Sequence, residues 1–164
     1  MKSLYNSLNE ASVLDIEGTI IDGDKFDKFF KKAEAELNEI RNMTWEDILD
    51  TCKFEDGQLA CTFKFTCPNL LTLLGINHPD ADGLIIVVEI RQSYNVYSVF
   101  TIKHKKQRNY STSMIAKGWV NITDYIGPIR PKKMSNAILQ IQDALHKLAN
   151  IETLKSLCLE LKMK

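Results

Sequence analysis

Leu59-Ala60-Cys61-Thr62-Phe63-Lys64-Phe65-Thr66-Cys67 is the stretch whose reading decides the fold. Leu59, Cys61, Phe63, Phe65 and Cys67 fall on one side of an extended chain, and Ala60, Thr62, Lys64 and Thr66 on the other. Period-two alternation of this kind predicts a β-strand with one buried and one polar face. Pro68 ends it, because proline has no N–H to give to a ladder. Just upstream, Asp56-Gly57 supplies the positive φ of a tight hairpin turn. Downstream, Asn69 to Leu74 reads as a brief apolar turn or helix, and residues 77–83 as a loop by composition. Leu84 to Arg91 is nearly continuous in apolar residues, as expected of a central strand covered on both faces. Gln92 to Asn95 can turn the chain. Val96, Ser98, Phe100 and Ile102 then alternate against Tyr97, Val99 and Thr101 in a returning strand that ends at Lys103. Strands joined by links this short must run antiparallel. Met114 to Ile122 is expected to add an edge strand, and Asp124 to Pro131, with its two prolines, an extended connection.

Helical periods flank this centre. Phe26, Phe29, Phe30, Ala33, Leu37 and Ile40 make one stripe at i, i+3, i+4, i+7, i+11 and i+14, with Asp22 or Asp24 available as a cap. The stripe predicts a helix that packs on its own sheet, and its near-heptad spacing also suits a partner helix. Thr44 can cap a short second helix on which Trp45, Ile48, Leu49 and Cys52 share a face. Towards the C-terminus, Met134, Ile138, Ile141, Leu145 and Leu148 predict a helix starting near Lys133 or Ser135. Asn150 is read as a break that tolerates the left-handed cap, and Ile151, Leu154, Leu157, Cys158 and Leu161 as a last helix. The expected class is α+β: an antiparallel meander of three to five strands packed against an N-terminal helix and C-terminal helices. Residues 24–164 are expected to form one domain, and the spacing in residues 1–23 fits both helical and extended structure.

The 164 residues are 45% hydrophobic and 26% charged, which is ordinary for a globular chain. No apolar run approaches the roughly 20 residues of a membrane span. Four cysteines make no disulfide framework, and the sequons at Asn42, Asn109 and Asn121 accompany no export signal, so an intracellular protein with reduced thiols is expected. The zero net charge is unevenly spread: residues 1–50 carry net −6, residues 51–100 net −2 and residues 101–164 net +8. Such asymmetry suits attraction between the two ends of one fold, or an acidic partner for the basic end.

For chemistry, Asp15-Ile16-Glu17-Gly18-Thr19 stands out. It resembles the Asp-x-Asp-Gly-Thr nucleophile motif of the haloacid-dehalogenase phosphatases, with Glu17 in the second acidic position. The resemblance covers about ten residues and implies Asp15 as nucleophile, Glu17 at the leaving group, Mg²⁺ between them and a parallel α/β sheet. The buried strand that family needs before the aspartate and its later Gly-Asp-x-x-x-Asp metal motif are both missing. Without them, these residues read as a turn at Gly18 flanked by acids that cap helices. Cys61 and Cys67 interleave with Phe63 and Phe65 on an apolar face, and Cys52 and Cys158 lie on helical apolar stripes. All four read as packing residues rather than zinc ligands or nucleophiles, and His78, His104 and His146 have no ligand spacing. No cofactor and no metal is expected.

The concentrated surface charge is Lys103, Lys105, Lys106 and Arg108, followed by Arg130, Lys132 and Lys133, with Tyr110 available to stack on a base. It suits an acidic protein surface better than nucleic acid, since a dedicated nucleic-acid binder would be basic overall. The order helix, meander, C-terminal helices resembles that of RWD-type domains, non-catalytic relatives of ubiquitin-conjugating enzymes, and implies a docking or dimerisation module. The expected function is therefore protein–protein interaction within a larger assembly, with other subunits or a second copy as partner and no membrane contact. The candidate contact residues are Phe26, Phe29, Phe30, Leu37 and Ile40 together with the basic residues just named.

Overall fold

A computed structural model describes residues 23–56, 58–76, 83–92, 96–105 and 118–161. The described residues begin with α1 (Gly23–Arg41) and α2 (Trp45–Thr51), followed by the hairpin β1 (Cys52–Glu55) and β2 (Gln58–Phe65). After α3 (Pro68–Leu73) come the long strands β3 (Leu84–Gln92) and β4 (Val96–His104) and the short β5 (Val120–Asn121). The helices α4 (Thr123–Ile126), α5 (Met134–Leu148) and α6 (Ile151–Leu161) complete it. The five strands lie in sequence order and every neighbouring pair is antiparallel, so the expected α+β meander is present.

Register explains the alternation. Cys61, Phe63 and Phe65 lie opposite Ile90, Val88 and Ile86, which in turn face Ser98, Phe100 and Ile102. These side chains form the inner face, and all but the half-buried Phe65 are buried. The opposite parity places Thr62, Lys64, Glu89, Arg91, Thr101 and Lys103 on the outer face. There, too, Ile85 and Val87 of β3 are buried, as expected of a central strand, although they stand apart from the main core cluster. Asp56 itself takes the left-handed φ of 52° at the first hairpin, a conformation that the short polar side chain of aspartate tolerates.

The helical layer is tied by capping bonds that join distant parts of the chain. Pro68 starts α3 without a side-chain cap of its own. Instead the Glu36 carboxylate, on α1, accepts the backbone N–H of Leu70 at 2.7 Å and of Asn69 at 3.4 Å, and the Asn69 amide at 3.0 Å. Those N–H groups have no partner inside their own helix, and a carboxylate at that end also suits the helix dipole. α3 closes at Gly75, φ 87°, where the Ile76 N–H bonds the Leu71 carbonyl and the Gly75 N–H that of Thr72. That is the Schellman pattern, and it needs a residue at ease with positive φ. Five residues after Glu36, at the C-terminus of α1, Arg41 Nη2 donates to the Ala149 carbonyl at 2.8 Å, capping the end of α5.

α1 lies alongside α3 and α5, and its Ala33, Leu37 and Ile40 share one core cluster with the inner face of the sheet. Several expectations need correction. α1 begins at Gly23, so Asp24 is inside the helix rather than its cap, and Asp22 lies outside the described residues. Cys52 belongs to β1, not to a helical stripe, because its N–H closes α2 on the Ile48 carbonyl and the chain then turns extended. Of the described part of the expected Met114–Ile122 strand, Val120 and Asn121 are in register with β4 and the Ile122 N–H bonds the Ser98 carbonyl, while residues 114–117 lie outside the described residues. The connection read as extended contains α4, whose Gly127 N–H returns to the Thr123 carbonyl at 2.8 Å. Asn150 does separate two helices, but its φ is not positive. Its Oδ1 accepts the N–H groups of Glu152 and Thr153, so it acts as the N-cap of α6.

Candidate interaction surface

The apolar stripe on α1 is largely interior. Phe26, Phe30, Ala33, Leu37 and Ile40 are buried and Phe29 half-buried, with the Phe26 and Phe30 rings stacked at 6.3 Å between centroids. Ala33, Leu37 and Ile40 belong to the main core cluster, and Phe29 packs against it.

The outward apolar surface arises elsewhere. On α2 the sequence places Trp45, Ile48, Leu49 and Cys52 on one face, yet Ile48 alone of the three helical residues is buried, at 0% exposure. Trp45 and Leu49 are 38% and 42% exposed. They are four residues apart and therefore neighbours on the helix surface. Glu46, Asp47 and Asp50, all exposed, surround them. The helix that carries the pair is well fixed. Thr44 Oγ1 accepts the Asp47 N–H at 3.1 Å, Thr51 Oγ1 donates to the Asp47 carbonyl at 2.8 Å, and α2 packs on α5, β1 and β2. Gln142 of α5 reaches the Met43 carbonyl at 3.4 Å, two residues before Trp45, and Leu139, one turn earlier on α5, is also exposed. Trp119, before β5, and Leu159, on α6, are further exposed apolar residues.

The expected basic residues divide. Lys103 is half-buried on the outer face opposite Ile85, and Lys105, exposed, anchors the end of β4 through its N–H to the Gly83 carbonyl at 2.8 Å. β5 then runs back along β4, with the Ile122 N–H on the Ser98 carbonyl. The chain therefore leaves the sheet near the opposite end of β4 before reaching Arg130, Lys132 and Lys133. Those three are exposed beside α5, and the Arg130 N–H is held by Gln140 Oε1 at 2.9 Å. Lys106, Arg108 and Tyr110 lie outside the described residues, as do Asp15 and Glu17. The antiparallel pairing is not the parallel sheet that the phosphatase resemblance implies.

Among the described residues, no three His, Cys, Asp or Glu side chains gather as a metal site, and no helix is long and apolar enough to cross a membrane. All four cysteines are buried free thiols. Burial pushes the Cys67 thiol from the ordinary 9.0 up to about 12, helped by the Glu36 charge, and that of Cys158 to about 11. Both are held protonated, the opposite of what a nucleophile needs. No family model, no curated protein and no solved structure matches the chain.

Proposed function

We propose that this chain is a non-catalytic protein–protein interaction domain, a docking or dimerisation module of a larger intracellular complex. Its contact surface is centred on Trp45 and Leu49. The observation that carries the reading is the exposure of this pair on a helix that is capped and packed from beneath. Tryptophan at the centre of a contact is among the strongest contributors to binding, and a rigid helix face loses little entropy when it docks. The acidic rim of Glu46, Asp47 and Asp50 favours a basic partner surface. The chain's own residues 101–164, at net +8, make a second copy one such surface. The likeness in element order to RWD-type docking domains points the same way.

Sedimentation equilibrium of the wild-type chain against Trp45→Lys/Leu49→Lys, with affinity capture from native cell extract alongside, tests the reading. Wild type should self-associate or retain a protein partner, and the double variant should lose about tenfold or more in affinity while keeping its Tm. Binding unchanged in the variant, or a wild-type chain that stays monomeric and captures no protein, would reject it. So would Mg²⁺-dependent hydrolysis of p-nitrophenyl phosphate that disappears in Asp15→Asn.

A further inference from the structure

β1 and β2 place two cysteines directly opposite each other, Cys52 across from Cys61. Glu55 and Gln58 are the last register pair before the two-residue link, and the closing pair of a two-residue hairpin is a hydrogen-bonded one. Hydrogen-bonded and non-hydrogen-bonded pairs alternate from there, so Cys52 and Cys61 form a non-hydrogen-bonded pair. At such a pair the Cα atoms approach to about 4.5 Å and the side chains are closest. That separation lies within the span of roughly 4.4–6.8 Å that a disulfide bridges. Both side chains point to the inner face, next to Ile90 and beneath α2. The two thiols are free.

We infer that Cys52 and Cys61 are a redox-active dithiol that closes to a reversible cross-strand disulfide, with hydrogen peroxide as oxidant. The inference goes beyond the docking role and does not depend on it. Cys52 is the attacking residue. It is 7% exposed against 2% for Cys61, and it stands on the edge strand at the junction with α2. A hydrogen bond from the Cys61 thiol also draws the Cys52 thiol below its ordinary pKa, although burial opposes it. In the first step the Cys52 thiolate bonds to one peroxide oxygen and the O–O bond breaks. The departing hydroxide takes up the Cys52 proton as water and leaves a sulfenic acid. In the second step the Cys61 sulfur displaces the hydroxyl, so that S–S forms, S–O breaks, and the Cys61 proton departs with the hydroxyl as a second water. Two electrons pass from the thiols to peroxide, and a small dithiol such as dithiothreitol reverses the change by exchange.

The test is peroxide treatment of the folded full-length chain, then alkylation, intact mass and peptide mapping. The expected result is a loss of about 2 Da, two fewer alkylated thiols, a Cys52–Cys61 link and full recovery with dithiothreitol. Cys67→Ala should retain the link and Cys52→Ala should lack it. The wild-type map alone decides if a variant fails to fold. Cys52 found as sulfinic acid without a link, a link to another cysteine, or four unmodified thiols in the folded chain would each overturn the inference.

Discussion

α1 and α2 are neighbours in sequence, and both carry apolar residues at helical spacing, yet they use them in opposite ways. On α1 the stripe from Phe26 to Ile40 is buried apart from the half-buried Phe29, and its Ala33, Leu37 and Ile40 join the main core cluster. On α2 a single residue, Ile48, turns inward while Trp45 and Leu49 stay in contact with solvent. The difference comes from the length of each helix and from the way the chain leaves it. α1 is nineteen residues long, enough for its stripe to span two other helices. α2 is seven residues long and is cut off when Cys52 enters β1, which fixes its rotation about Ile48. Periodicity announces that a face exists, and the rest of the chain decides whether anything covers it.

Five substitutions, one of them read in a titration, can break or sharpen this contrast. Leu37→Ala should cost about 2–5 kcal/mol in urea denaturation, whereas Leu49→Ala should stay within about 0.5 kcal/mol. Equal losses at the two sites would erase the distinction. Glu36→Ala removes the acceptor for the first N–H groups of α3 and should cost about 1–3 kcal/mol, with faster amide exchange at Asn69 and Leu70. Asn150→Ala should cost about 1 kcal/mol through the lost α6 cap and leave α2 unaffected.

The titration probes the buried thiols. Because Cys67 and Cys158 are raised from 9.0 to about 12 and about 11, the unfolded chain ionises first as pH rises. Their contribution to stability is complete below pH 9 and is lost progressively as pH rises from there to 12. Cys67→Ala should flatten that decline in a denaturation series from pH 8 to 11.

The meander was legible because each of its signals is local: alternation at Leu59–Phe65, the turn at Asp56, a nearly continuous apolar run at Leu84–Ile90. Short links then left antiparallel pairing as the remaining choice. β1 was missed because Cys52–Glu55 is too short to show a period, and α4 because four residues between Ile122 and Gly127 carry none either. The candidate surface was legible only as the presence of Trp45 and Leu49. Their exposure depends on the rotation of α2, which β1 imposes, and no spacing rule within α2 contains it. The Cys52–Cys61 pairing is likewise a product of register. Nine positions separate the two residues, and only the hairpin count brings them together.

The bond from Arg41 to the Ala149 carbonyl joins residues 108 positions apart, at the seam where α1 meets α5. Protein synthesis runs from the N-terminus, so α1 leaves the ribosome well before α5, its partner across this seam, has been made. For that interval the side of α1 that α5 will cover faces water, and the Arg41 guanidinium waits for its carbonyl.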